Sequence, residues 1–366
     1  MKKLLCVLLL LPLFITSCFA LDVVEETARQ TKADRVEEEL SPEEREISGE
    51  LSLDGSYDAG GALGRLWKRL LESLKNALQK ELGFAEKLIA LAVCCGLCTA
   101  FYPGGKPPPW MEIGVCCAAV LLLSGSVGGV FREANNTLDH LHDYARAAFP
   151  AFFSTLAACG APSSASVRYA SIVFASDLFM NLARQLILPL IEAHLSLSIC
   201  ASLFDNPMLR TAVKGSKWCA VTAITSACSL FCVYVGLTGV ITGSADAAAV
   251  KAAKTVFSSA LPVVGGILSN SASSILAAAA LIKNSAGVFC LIAVCAICVV
   301  PFALLFLKFL VFKAAASLSA LGGSEHYTSL LNSVGTVFGM LLGLIGSFGL
   351  MLFYSFLSGI RAVNPP

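Results

Sequence analysis

Charge is what this sequence has least of. Asp, Glu, Lys and Arg make up 14% of its 366 residues, where a soluble domain carries roughly a quarter. Together with 56% hydrophobic residues, that shortfall excludes a soluble globular chain and marks a polytopic membrane protein. The usual catalytic signatures are missing too. There is no glycine-rich loop ending in Lys-Ser or Lys-Thr, no His-Glu-x-x-His and no Gly-x-Ser-x-Gly, so the sequence offers no handle for ATP hydrolysis, zinc proteolysis or serine hydrolysis. An intramembrane aspartyl protease needs two facing aspartates; Asp177 lies inside an apolar run, but Asp246 lies beside one. The chain reads as a non-enzyme with no catalytic, cofactor or metal site, and its charge gives no case for a nucleic-acid partner.

Cysteine is abundant at 15 residues but badly placed for a disulfide scaffold. Cys6 and Cys18 lie in the first twenty residues, and the other thirteen fall between Cys94 and Cys298, in or beside apolar runs. Residues 19–93 have none, so the thiols read as small packing residues. Cys94, Cys95 and Cys98 lack the histidine or second cysteine pair that a zinc site requires.

The few charges are segregated. Residues 21–60 hold 13 acids against 4 bases, and residues 61–366 hold 12 acids against 20 bases. Ahead of the acidic stretch, Lys2 and Lys3, an apolar run from Leu4 to Ile15, and Ser-Cys-Phe-Ala before Leu21 have the build of a cleavable signal peptide over residues 1–20. A second reading makes Cys18 the lipidated cysteine of a lipoprotein box. Export would leave residues 21–61 as an extracytoplasmic arm, too acidic and too poor in apolar residues to fold alone. Over residues 62–83, Leu63, Leu66, Leu70, Leu74, Leu78 and Leu82 recur at helical spacing among Arg65, Lys68, Arg69, Lys75 and Lys80. That amphipathic helix either lies on anionic lipid headgroups or docks on its own bundle.

Residues 84–366 form the multi-span domain. Runs near 86–102, 110–130, 169–190, 218–241, 258–282, 286–312 and 332–360 are long enough to span, and shorter ones at 147–160 and 191–205 bring the expectation to seven to nine. The fold class is therefore all-α, an integral membrane helical bundle. Arg210, Lys214 and Lys217 form its densest basic loop, which places 206–217 in the cytoplasm by the positive-inside rule. Residues 132–146 are polar. Asp139, His142 and Asp143 share a helical face there, but too few ligands accompany them for a divalent metal, and the segment reads as a solvated loop.

Within the run 169–190, Asp177, Asn181 and Arg184 share one helical face. Charges at such depth face a bundle interior or a water-filled cavity, as a polar pathway or as an ion pair that fixes packing. Gly335, Gly339 and Gly343, at four-residue intervals, make a stripe along which helix backbones can approach, within the chain or between copies. Pro262, Gly265 and Gly266 interrupt the run 258–282 near its start, and Lys251 and Lys254 precede it. A break of this kind leaves backbone groups for neighbours, water or a transported species to satisfy; a plain helix pair with a basic loop fits as well.

The order Gly236-Leu-Thr-Gly239, Asp246, Lys251 with Lys254, Pro262-Val-Val-Gly-Gly266, then Lys283-Asn284 resembles the stage III sporulation protein AE family of endospore-forming bacteria. The resemblance is specific over 236–287 and compositional elsewhere from about residue 150 onward; the high cysteine content departs from it. It implies a multi-pass protein of the mother-cell membrane around the forespore. By the same resemblance, the chain would be one membrane subunit of a secretion-like channel complex that joins the two cells and sustains late forespore gene expression, forming or scaffolding its conduit. Its partners would be the other stage III membrane subunits, a separate cytoplasmic ATPase, membrane lipids and further copies of itself. A stand-alone secondary transporter and a non-conducting assembly scaffold are the competing expectations.

Overall fold

The structure, a computed structural model, describes residues 36, 38–49, 58–101, 109–158, 162–204, 206–260, 265–320 and 325–361, with side chains described outside 239–284 and a few scattered positions. The expected signal peptide at 1–20 and Cys18 lie outside the described residues. Among the described residues the chain is helical throughout, as an apolar chain in lipid requires, because a helix satisfies every backbone hydrogen bond within its own segment.

Helix α1 is Pro42–Ser48. Its start is fixed by a capping box in which Ser41 Oγ accepts from Glu44 N at 3.4 Å and Glu44 Oε2 accepts from Ser41 N at 2.8 Å. It ends at Gly49, whose φ of 74° is left-handed backbone that glycine adopts without a Cβ clash. The acidic segment is too polar to fold alone, and this part of it is held from outside. Leu40 and Ile47 are buried, and α1 packs on two of the long helices described next.

Helix α2 is Ala59–Ala100, 42 residues without a break. The amphipathic stretch and the first apolar run are thus one rod of about 63 Å at 1.5 Å per residue. It docks along α7 (Gly265–Ser319) through Ala62, Ala77, Leu88 and Ala92, which are buried. Of the leucine stripe, Leu63, Leu78 and Leu82 stay exposed, so docking uses only one edge of it.

Helix α3 is Pro109–Ala158 and passes through Pro150. The run 147–160 therefore continues the helix that begins at 109, and the polar stretch 132–146, expected as a loop, is its middle. Leu138, Leu141, Tyr144, Ala145 and Ala148 are buried at helical spacing within it, and that apolar edge holds the helix together. Helix α4, Pro162–Leu182, widens into a π-helical turn at Ala183–Ile187 and continues as α5, Leu188–Leu203. Pro189 lies just past the π-helical turn, whose wider pattern, with Leu188 N–H donating to Ala183 O, carries the helix past the missing proline N–H, so 191–203 also extends an existing helix. Helix α6 is Pro207–Ala260, and α8 is Glu325–Arg361.

By length and composition, five described helical stretches can cross a bilayer: Trp110–Ala157, Ala165–Leu203, Pro207–Thr238, Ser285–Ser319 and Glu325–Ile360. Helix α8 is the centre of the bundle, with α7, α3, α5 and α6 packed around it. Phe338, Leu341, Leu344, Ile345, Phe348, Leu352 and Phe356 along it are buried. At one end Tyr327 Oη donates to Leu88 O at 2.7 Å and His326 Nε2 lies 3.3 Å from Glu112 Oε2. At the other, the buried Arg168 of α4 donates to Ser358 O at 3.0 Å, and Phe152 of α3 meets Phe356 edge-on at 5.4 Å between centroids.

Glycine sets the α7–α8 distance. A methyl group on Gly339 would lie 3.2 Å from the Phe309 ring, on Gly346 3.2 Å from Phe302, and on Gly349 3.1 Å from Cys298 Sγ. Gly335 meets Phe312 in the same way at 3.3 Å, whereas Gly343 faces open space. The stripe is an intramolecular packing surface, and it leaves Gly343 for Gly346 because 3.6 residues per turn carry a strict four-residue repeat off the contact line.

Candidate functional site

Asp177 and Arg184 share a face of α4 and its π turn, yet they do not pair with each other. Asp177 Oδ1 accepts from Arg146 Nη2 at 3.2 Å and lies 3.1 Å from His142 Nε2, while Arg184 Nη2 donates to Asp139 Oδ1. Both sets of partners come from the 132–146 stretch of α3. Asp139, His142 and Arg146 recur three and four residues apart, so one edge of α3 meets one edge of α4. Asn181, between the two pairs, is exposed and takes no part in these contacts.

The line of charge continues around the bundle. His140 Nε2 donates to Glu39 O at 2.9 Å and lies 3.6 Å from Glu44 Oε2, and Arg69 of α2 pairs with Glu43. Four helices, α2, α1, α3 and α4, are joined by polar contacts into one belt. A recess of about 280 Å³ beside α1 is lined by Glu43, Glu44, Arg69, Glu133 and His140, with Pro301 of α7 at its floor.

The belt's depth makes it unusual. Helix α8 has no charged residue from Ser333 to Ile360, and Phe348 lies near the middle of that stretch. The His142 ring is 6.3 Å from the Phe348 ring, and Phe179 stacks on Phe348 at 5.3 Å with 3° between planes. The His142–Asp177–Arg146 group therefore lies level with the middle of the uncharged stretch of α8. The ion pairs also face outward, since the side chains of Arg146 and Arg184 are 61% and 50% exposed and those of Asp177 and Asp139 are 36% and 44% exposed. A charge at mid-bilayer costs about 2.5–3.5 kcal/mol even on insertion scales, so such a face meets water or protein rather than acyl chains.

Sequence reasoning picked out Asp177 and Arg184 and missed the partners on α1, α2 and α3. The signal on α3 was the 3–4 spacing of Asp139, His142 and Arg146 beside buried residues at the same period. For Glu43, Glu44 and Arg69 the sequence has no comparable signal, because they meet only through tertiary packing. Of the other expected residues, the side chains of Lys251 and Lys254 and all of Pro262 lie outside the described residues. Gly265 and Gly266 are the first residues of α7, and their contacts lie outside the described set as well. Among the described residues no cluster of three or more His, Cys, Asp or Glu side chains has metal-binding geometry.

The family model described as stage III sporulation protein AE matches residues 56–360. Stage III sporulation protein AE of Bacillus subtilis (strain 168) is 23% identical over 212 residues, which cover 58% of this chain and 53% of that protein. The match thus spans about half the length of that curated relative. No solved structure matches.

Proposed function

Because the chain belongs to the stage III sporulation protein AE family, we propose that it is a membrane subunit of the channel complex between mother cell and forespore, forming or scaffolding the membrane part of a conduit. It sits in the mother-cell membrane around the forespore, works with the other stage III membrane subunits and a separate cytoplasmic ATPase, and performs no chemistry of its own. The observation that carries this reading is the outward-facing belt of ion pairs level with the uncharged stretch of α8. Ion pairs at that level and with that exposure call for a water-lined passage or for a second protein surface that completes one. A stand-alone transporter needs its polar groups turned inward between its own helices, and the described belt is turned outward.

The test is a set of full-length chains in sporulating cells: Arg184→Leu, Asp139→Leu, and the pair together. A conduit surface loses late forespore gene expression in the double variant, although the charges are balanced and the protein still co-purifies with its membrane partners. A scaffold keeps expression in the double variant. Solute uptake by the lone protein in liposomes would favour the transporter.

A further inference from the structure

Away from the belt, at the opposite end of α8 from Gly359, the start of α6, the middle of α5 and the start of α8 enclose a recess of about 400 Å³. Such a volume falls within the range of small-ligand sites. Arg210, Lys214 and Lys217 line it from α6, at the 3–4 spacing that puts all three on one face. Against these three cations, Glu325 is the one lining carboxylate among the described residues. The hydroxyl groups of Ser329 and Ser333 also line it, whereas that of Ser198 donates to His194 O at 2.7 Å.

His194 of α5 is 1% exposed and lines the recess. Its Nδ1 is 2.9 Å from Ser216 Oγ, whereas its Nε2 is buried and has no hydrogen-bond partner among the described residues. The Ser216 hydroxyl donates to Val213 O at 3.0 Å, so Nδ1–H donates to Ser216 Oγ and fixes the His194 ring in the wall of the recess.

We propose that this recess is a phosphate-binding site, held by Arg210, Lys214 and Lys217. The phosphate belongs either to the headgroup of an anionic phospholipid or to a free phosphate. The lipid source fits the surroundings. Phe204, Met208 and Trp218, on the same turns of chain, are exposed, as apolar and aromatic anchors are at a membrane–water boundary. Basic residues beside such a boundary attract anionic headgroups. The site is independent of whether the belt conducts, since the two lie at different depths.

The test uses the full chain purified in neutral detergent and measures its thermal midpoint with phosphatidylglycerol, with phosphatidylcholine, and with inorganic phosphate. The variants are Lys214→Gln/Lys217→Gln, which removes two cations from the wall, Ser329→Leu, which fills the recess without changing charge, and Lys87→Gln, which removes an exposed cation of α2 outside its basic stretch. Phosphatidylglycerol is expected to raise the midpoint of the unaltered chain and of the α2 variant, while phosphatidylcholine does not. In the other two variants the affinity drawn from the titration falls by about tenfold or more, as loss of charge-assisted contacts predicts. If inorganic phosphate reproduces the rise and the same variants abolish it, the site stands and its ligand is free phosphate. An equal rise in all variants, an equal loss in the α2 variant, or no rise with either anion overturns the proposal.

Discussion

Asp177 of α4 and His142 of α3 lie 3.1 Å apart at the level of Phe348, where the helix at the centre of the bundle has no charged residue. Two helices thus meet through polar groups at the depth where apolar contact is the rule. The same pairing governs Arg184 and Asp139 on the next turns.

Breaking one half of the Arg184–Asp139 pair should hurt more than removing both. Arg184→Leu leaves Asp139 without its partner, whereas the double leucine variant leaves no orphan. In water an exposed pair is worth about 0–1 kcal/mol; in a bilayer the coupling between the two sites should reach about 1–2 kcal/mol. Thermal unfolding of the two single variants and the double variant in lipid nanodiscs measures it, and simple additivity would show that the pair faces bulk water.

Glycines of α8 should respond to substitution by position. Gly339→Leu forces a side chain into the Phe309 ring and is expected to cost about 1–3 kcal/mol. Gly343→Ala meets nothing within 4 Å and should be neutral or stabilising by up to about 1 kcal/mol, through helix propensity alone. Midpoints in detergent compare them; equal losses at both positions would place Gly343 in an interface between copies.

Tyr327→Phe removes the hydroxyl that ties α8 to Leu88 O of α2 at 2.7 Å. The expected loss is about 0.5–1.5 kcal/mol, the usual net value of one hydrogen bond, because Leu88 O keeps its helical partner. A thermal midpoint identical to that of the unaltered chain would mean water replaces the contact.

Helix α1 is held by Arg69, through Glu43, and by His140, through Glu39 and Glu44. Removing both anchors in Arg69→Ala/His140→Ala should release it locally without unfolding the bundle. Trypsin cleavage after Arg45 is expected to accelerate at least tenfold, about 1.4 kcal/mol in opening free energy, while the global midpoint moves little. An unchanged cleavage rate would show that the burial of Leu40 and Ile47, together with the bond from Arg65 Nε to Ile47 O at 3.2 Å, holds the segment.

The sequence carried the class of the molecule plainly, because 56% hydrophobic residues leave few alternatives to helices in lipid. It also carried Asp177 and Arg184, since charge inside a long apolar run is conspicuous. It did not show how far each helix runs. Pro150 looked like a stop, but in the interior of α3 the bonds it removes are offset by packing of Phe149, Phe152 and Phe153, all buried. The polar stretch 132–146 was legible as amphipathic only to a reader who weighed Leu138, Leu141 and Tyr144 above the charges between them. The basic face of 206–217 was read as a loop marking sidedness, whereas most of it is the first turns of α6 and one wall of a recess.

One local irregularity has reach along the whole molecule. The wide turn at Ala183–Ile187 holds an extra residue relative to α-helical winding, and each residue of an α-helix corresponds to 100° of rotation. It therefore sets the phase between the half of the rod that carries Asp177 and the half that carries His194. Tightening it by one residue would swing every side chain beyond it about a quarter-turn around the axis, turning His194 away from Ser216 while the upper half stayed in place. A single backbone detail thus coordinates the two polar regions of the protein, much as a keyway fixes the angle between two wheels on one shaft.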